Sequence, residues 1–404
     1  MIVLTPDGQL GEKPPADPNW PFFRLAFRPF FWLGALFSII SIMVWALSFT
    51  GNILFMPYGS GYFWHVHEML FGFAVAIIAG FLLTAVQTWT KQPSVKGIPL
   101  AILVGIWLVA RILMAFPDLV PAPIIAAIDL AFLPLAAFFL ALPIVKAQMW
   151  RNLFFVPVLL IMAILNALMH GSVAGIFDIS YVDLSHVMVM MITLVMCVMG
   201  GRVFPMFTAN GTRTQKVQPI AWLEKVAIIS VIASVVVSTN ILSGVPALEA
   251  LIYLIAGVSN FIRALRWRIW VTFGTPLVWT LHVSYWSICI GLILLAAAEM
   301  QWLNNASIAF HTITVGGMGM MILAMISRVS LGHTGRFIEV GKIMTMAFIV
   351  MVLGIITRAL APAFMADYTI VLLASAILWL IAYGTFVIMY APVLFKPRVD
   401  GSPG

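Results

Sequence analysis

The chain has 404 residues, of which 63% are hydrophobic and only 9% charged, with a mean hydropathy of +1.10. A soluble core cannot hide that much apolar surface, which excludes a water-soluble globular protein and leaves a polytopic membrane protein. The formal net charge of +7 excludes little, because in a membrane protein the placement of Lys and Arg matters more than their total.

The first 20 residues show no basic stretch leading into an apolar run and a small-residue cleavage site, so no removable signal peptide is expected. Twelve apolar segments then follow, near 28–50, 62–88, 98–116, 121–146, 151–170, 183–204, 221–242, 246–265, 271–298, 304–327, 342–362 and 368–394. Each has roughly the 20 residues needed to cross a bilayer. Nineteen of the 21 Lys and Arg fall before the first segment, in every second connection, or after the last segment. The opposite connections are short and carry Asp118, Asp178, Asp183, Glu249, Glu299 and Asp367. The expected fold is therefore an all-α membrane protein of twelve transmembrane helices, a single domain over 1–404 with both termini cytoplasmic. Cys197 and Cys289 fall inside segments and form no C-x-x-C pattern.

Only Arg111 and Arg358 lie at the outer ends of segments. Either they snorkel to the outer interface, or they pair with an anion held at that level. Histidine is the second signal. His65 and His67 open segment 2, His170 closes segment 5, His186 opens segment 6, and His311 lies about two turns into segment 10. These five share the outer half of the membrane; His282 is near the middle of segment 9, and His333 is cytoplasmic. A single intramembrane histidine is usually a helix-to-helix hydrogen bond. Six in one chain suit metal or haem ligation, because neutral imidazole is the commonest metal ligand and a bundle can aim several rings at one centre.

His67, His186 and His311 are separated by 119 and 125 residues, with four segments in each interval. That spacing suggests three four-helix units, 20–146, 147–266 and 267–396, whose second helices converge with their histidines at one depth. The arrangement is similar in architecture to the core subunit of haem-copper oxidases and nitric oxide reductases. It departs from that pattern in having no histidine on segment 7 and one on segment 10.

On a regular helix residues i and i+2 point about 200° apart, so His65 and His67 cannot share a centre unless the first turn is extended. His67 is the expected haem ligand, with His65 as a second ligand or propionate partner. Gly72, Gly80, Gly316, Gly317 and Gly319 permit close approach of a flat ring or of a neighbouring helix, packing being the usual reason. Among many methionines, Met190 lies one turn from His186 and is a candidate thioether ligand. The loop Arg328-Val-Ser-Leu-Gly-His-Thr-Gly-Arg336, with Arg328, His333 and Arg336, is either a basic turn on lipid phosphate or a site for an anion or a quinone headgroup.

Three blocks carry a family resemblance: Phe23-Arg-Leu-Ala-Phe-Arg-Pro-Phe-Phe31; Trp64-His-Val-His-Glu-Met-Leu-Phe-Gly-Phe73 with Ala79-Gly-Phe-Leu-Leu-Thr-Ala85; and the Arg328 to Arg336 loop. In order and spacing they resemble the signature blocks of the NnrS family over essentially the whole chain. The resemblance implies a twelve-span bacterial inner-membrane protein carrying haem and copper, linked to denitrification and to tolerance of nitric oxide.

Three functions compete at this stage. The first is a redox enzyme that reduces nitric oxide at a b-type haem, with electrons from quinol or a periplasmic donor. In it, His67, His186 and His311 are ligands, His170, His282 and Met190 are further metal candidates, and Arg111 and Arg358 are propionate partners. Glu68 and Asp129 are the acids expected to deliver protons. The second is a haem or copper protein that binds nitric oxide without turnover. The third is a twelve-helix secondary transporter, which four-helix units and the 2–3 loop fit poorly.

Overall fold

The structure, a computed structural model, describes residues 2–4, 10–12, 21–241, 244–303, 305–365 and 367–401. A short antiparallel pair, β1 (Ile2–Leu4) with β2 (Leu10–Glu12), precedes the bundle. Twelve long helices then follow among the described residues. They are α1 (Phe27–Phe49), α2 (Gly61–Thr90), α3 (Gly97–Ala115), α4 (Ala122–Lys146), α5 (Phe155–Val173), α6 (Tyr181–Thr212), α7 (Ala221–Val237), α8 (Pro246–Arg266), α9 (Pro276–Glu299), α10 (Ser307–His333), α11 (Lys342–Ala359) and α12 (Tyr368–Phe395). The chain is a multi-pass membrane protein.

Eleven of the helices are long and apolar enough to cross a bilayer. The exception is α7, expected over 221–242 but only 17 residues long. At 1.5 Å per residue it reaches about 25 Å, short of a hydrocarbon core of about 30 Å. Its end is set by local chemistry. The Ser238 and Thr239 hydroxyls donate back to Val235 O and Val236 O at 2.8 and 2.7 Å, and Asn240 then turns the chain with φ 61°. In the other direction, α6 continues through Pro205 to Thr212, eight residues past the expected end.

Burial separates inner from outer helices. In the most apolar stretch of α2, α6 and α10, 83%, 78% and 67% of residues are buried, against 39% for α1, α4, α11 and α12. The three helices that carry His67, His186 and His311 are thus the central ones. Around them the outer helices pack in succession, with α4 on α5, α8 on α9, and α12 closing against α1.

Two central helices share a backbone irregularity. Glu68–Ala74 of α2 and Thr312–Gly319 of α10 are wound as π-helix, each starting on the residue after a histidine. The wider turn re-aims the side chains that follow and is frequent at functional sites. Gly72 lies within the first of these segments because a Cβ there would stand 2.6 Å from Phe37, 2.7 Å from Glu68 Oε2 and 2.9 Å from Arg111 Nη1. Its missing side chain makes room for an ion pair rather than for a flat ring. Gly80, Gly316, Gly317 and Gly319 likewise face protein neighbours, namely Phe30, Ser287, Ile288 and Trp379.

At the far end from the π segments, buried Arg28 of α1 donates to Leu394 O at 2.7 Å and Lys396 O at 2.8 Å. It thereby satisfies carbonyls that the last turn of α12 leaves without partners. Arg398 donates to His333 O at 2.9 Å, so the C-terminal ends of α10 and α12 meet the start of α1 at this end.

Candidate functional site: two histidine centres

The i, i+2 geometry of His65 and His67 holds in the structure, because both lie in the regular α-helical turn Gly61–His67 that precedes the π segment. The two rings therefore serve different places. His67 turns outward from the central axis, toward α3, α4 and α5. There Nδ1 lies 3.1 Å from Glu68 Oε1, and Nε2 lies 2.8 Å from Asn166 Oδ1 and 3.3 Å from Asp129 Oδ2.

Around it stands a closed polar cluster. Arg111 Nη1 donates to Glu68 Oε1 and Oε2 at 2.7 and 2.8 Å, and Arg111 Nη2 donates to Asp129 Oδ1. Asn166 Nδ2 donates to Asp129 Oδ2 at 2.7 Å. His170 Nε2 lies 3.1 Å from the same oxygen, and its Nδ1 3.3 Å from Tyr58 Oη. Burial holds the Tyr58 phenol above its ordinary pKa, so it stays a neutral hydroxyl. Every charged member is buried, Arg111 with 4% of its surface exposed and Glu68 with none. Arg111 accordingly does not snorkel to the interface; its partners are the two carboxylates. Glu68 and Asp129, read from sequence as proton-delivering acids, are both ion-paired to this one guanidinium.

The second centre is a cavity of about 170 Å³ between α2, α6 and α10, bordered also by α1, α11 and α12. It has room for on the order of ten water molecules, the scale of a small-molecule site rather than of a single trapped water. His65, His186, His311 and Arg358 line it, among apolar walls that include Leu70, Phe73 and Trp379. The His65 ring stacks on Trp45 at 4.6 Å between centroids, and the His186 ring on Phe310 at 3.9 Å. His311 Nδ1 lies 2.7 Å from Ser307 O, one turn back on the same helix, while Arg358 Nη2 donates to His311 Nε2 at 2.9 Å. Arginine has no lone pair to offer, so Nε2 must be the unprotonated nitrogen and Nδ1 must carry the hydrogen. Tyr368 Oη accepts from the same guanidinium at 2.5 Å. Next along the central helices lies a smaller cavity of about 70 Å³ with wholly apolar walls, among them Ile78, Met196 and Met321.

The structure thus brings His186 and His311 together as the spacing argued, adds His65, and places His67 elsewhere. The expected convergence of His67, His186 and His311 on one centre does not occur, because the ring two residues earlier takes the inward direction. His170 joins His67 rather than the cavity. His282 is remote from both: its Nε2 lies 2.9 Å from Thr208 Oγ1, near the end of α6 opposite to His186. Twenty-two residues of helix separate Thr208 from His186, about 33 Å. Met190 is buried and does not border the cavity. The stretch expected as a loop from Arg328 to Arg336 is helical as far as His333, the end of α10: Arg328 stacks over Phe207 at 4.0 Å, His333 packs on Phe27, and Arg336, beyond the helix, reaches Thr334 O at 3.5 Å. None of these three borders either cavity.

Asn166, Tyr58 and Tyr368 escaped the sequence reading. Asn166 had a signal, since it precedes His170 by four residues and so shares its helix face. The two tyrosines had none, their partners being 112 and 10 residues away. A second buried network was also missed. Arg263 of α8 donates to Glu224, to Cys197 O at 3.0 Å and to Tyr285 at 2.9 Å, and Tyr285 donates to Asn260 Oδ1 at 2.6 Å.

The fold and these two centres define a class: a polytopic helical membrane protein whose central helices carry histidines, three of them around a cavity and one in a buried ionic cluster. The chain belongs to the NnrS family, whose model, described as NnrS protein, matches residues 21–398. No curated protein matches it significantly.

Proposed function

We propose that α2, α6 and α10 hold a b-type haem at this cavity, which must widen from about 170 Å³ to admit the ring, and that nitric oxide is bound and reduced there. The family's link to the nitric oxide response gives the substrate, and one observation carries the reading. His311 presents an unprotonated Nε2 at the cavity, its tautomer fixed by the Ser307 carbonyl. A ring whose Nδ1–H is held by a backbone carbonyl and whose Nε2 is left as an acceptor, here toward Arg358, has the tautomer of a metal-ligating histidine.

The other donors fit the same group. His65 Nδ1 is buried with no hydrogen-bond partner in the structure, so a nitrogen is available on a second lining ring. Arg358, at the rim, is the cation to meet haem propionates, releasing His311 Nε2 as it does so. His186, flat against Phe310, is a third ring at that level. Apolar walls from Leu70, Phe73 and Trp379 exclude water, and nitric oxide, a small uncharged molecule, enters such a space without desolvation cost. When bound, the haem supplies an iron that binds nitric oxide and passes electrons to it. Two molecules of nitric oxide take two electrons and two protons to give nitrous oxide and water, the electrons coming from quinol or a periplasmic donor.

The family resemblance supports the bacterial inner membrane as the protein's location, and the distribution of basic residues supports cytoplasmic termini, which puts the proposed haem in the periplasmic half. The test is to purify the full chain, count haem, and follow nitric oxide loss anaerobically with a reductant. Consumption well beyond one equivalent per haem is expected. A single-equivalent burst reduces the function to binding, and protein without haem absorbance overturns the reading.

A further inference from the structure

We infer that His67, Asp129 and His170 form a second site, separate from the cavity, that takes one divalent first-row transition-metal ion. Three ligand atoms converge there from three helices. Asp129 Oδ2 of α4 lies 3.3 Å from His67 Nε2 of α2 and 3.1 Å from His170 Nε2 of α5, and all three residues are buried. Metal–ligand bonds of about 2.0–2.2 Å place neighbouring ligand atoms about 2.9–3.5 Å apart, so these separations are edges of a coordination polyhedron.

The surroundings are those of a metal site rather than of a bare hydrogen-bond network. Each histidine has its other ring nitrogen beside an oxygen that can hold the hydrogen there: Glu68 Oε1 at 3.1 Å for His67, and Tyr58 Oη at 3.3 Å for His170. Beside Asn166 Oδ1 and Asp129 Oδ2, both acceptors, His67 Nε2 carries a hydrogen that an incoming metal ion replaces. With Nδ1–H held by Glu68 and by Tyr58, Nε2 is then the ligand atom of both rings. Asp129 divides its oxygens, giving Oδ1 to Arg111 and turning Oδ2 to the histidines, with Asn166 Nδ2 donating to that second oxygen at 2.7 Å. Asn166 Oδ1, 2.8 Å from His67 Nε2, stands beside the same point as a fourth oxygen.

Charge argues the same way. Glu68 and Asp129 bring two negative charges and Arg111 one positive, in a place where an unbalanced charge is costly. The net charge of −1 attracts a cation, and a divalent ion bound there leaves +1, which an anionic ligand at an open coordination position can balance. Two imidazoles and one carboxylate are a borderline donor set that suits Fe(II), Cu(II) or Zn(II) over Mg(II) or Ca(II), and they leave coordination positions open. A metal here would sit one helix width from the cavity on the far side of α2, joined to it through the His65–His67 turn.

Cu(II) added to metal-stripped full-length protein in detergent tests the site. We expect one tightly held Cu(II) per chain, with an electron paramagnetic resonance spectrum showing coupling to two nitrogens. His170→Gln should weaken binding at least tenfold and reduce the coupling to one nitrogen. Tyr58→Phe, which leaves all three ligands in place, should weaken it about tenfold. His311→Ala, on the other centre, should leave Cu(II) binding unchanged while altering haem, so failure of the haem reading and failure of this one are distinguishable. Binding that survives His170→Gln in folded protein, that is lost in His311→Ala instead, or that does not occur at all overturns the proposal.

Discussion

Arg358 donates to the Nε2 of His311 at 2.9 Å, so the central histidine of α10 is held with its lone pair outward and its hydrogen on the Ser307 carbonyl. A cation guarding a ligand nitrogen can be exchanged for a metal only if the guanidinium finds another acceptor, such as a propionate. Arg358→Leu is therefore expected to lower haem retention during purification several-fold, and Arg358→Lys to restore part of it. Haem-to-protein ratios from absorbance spectra check both, and unchanged ratios in Arg358→Leu remove the propionate role.

The two histidines of the Trp64–Met69 block should separate in experiment. His65→Ala and His311→Ala are expected to lose haem or shift its absorbance strongly, whereas His67→Gln should leave the haem spectrum in place. A haem spectrum lost in His67→Gln but kept in His65→Ala would reverse the assignment of inward and outward rings.

Glu68 accepts from Arg111 through both oxygens and does not border the cavity. Glu68→Gln is thus expected to keep nitric oxide turnover within about twofold while lowering thermal stability. A turnover fall of tenfold or more with a normal haem spectrum would instead make it a proton carrier.

Removing the cation of that cluster is the harsher change. Arg111→Met leaves two buried carboxylates facing one another, and breaking a buried pair from one side costs about 3–5 kcal/mol. Thermal unfolding in detergent should show a large drop. Arg111→Lys should recover little, because a single ammonium cannot bridge both carboxylates as the forked guanidinium does.

Gly72 and Gly384 give a paired packing test. A Cβ at Gly72 meets Phe37, Glu68 and Arg111 within 3 Å, while one at Gly384 meets nothing within 4 Å. Gly72→Ala should cost about 1–3 kcal/mol from overpacking. Gly384→Ala in α12 should be neutral or slightly stabilising, since alanine is the better helix former. Equal melting temperatures for the two variants would argue against the packed Glu68–Arg111 pair.

Composition and the run lengths of apolar residues determined a twelve-helix membrane bundle, because burying that surface in lipid requires helices of about one bilayer thickness. Eleven of the twelve expected spans form helices of spanning length, whereas the Ser238 and Thr239 hydroxyls stop α7 short of one, and α10 runs on through Arg328 to His333 where a loop was expected. Histidine spacing singled out α2, α6 and α10, which are the central helices of the bundle, and the i, i+2 geometry stated that His65 and His67 must diverge. Which of the two turns inward was decided by tertiary structure alone. It depends on Asn166, Asp129 and His170 waiting on one side of α2 for His67, and on Trp45 on the other, where the His65 ring stacks. Asn166 lies 99 residues away in sequence from the ring it attends. A periodic pattern tells how a helix is faced, but the identity of each face is set by which neighbours can satisfy a buried imidazole, and only packing brings those neighbours to it.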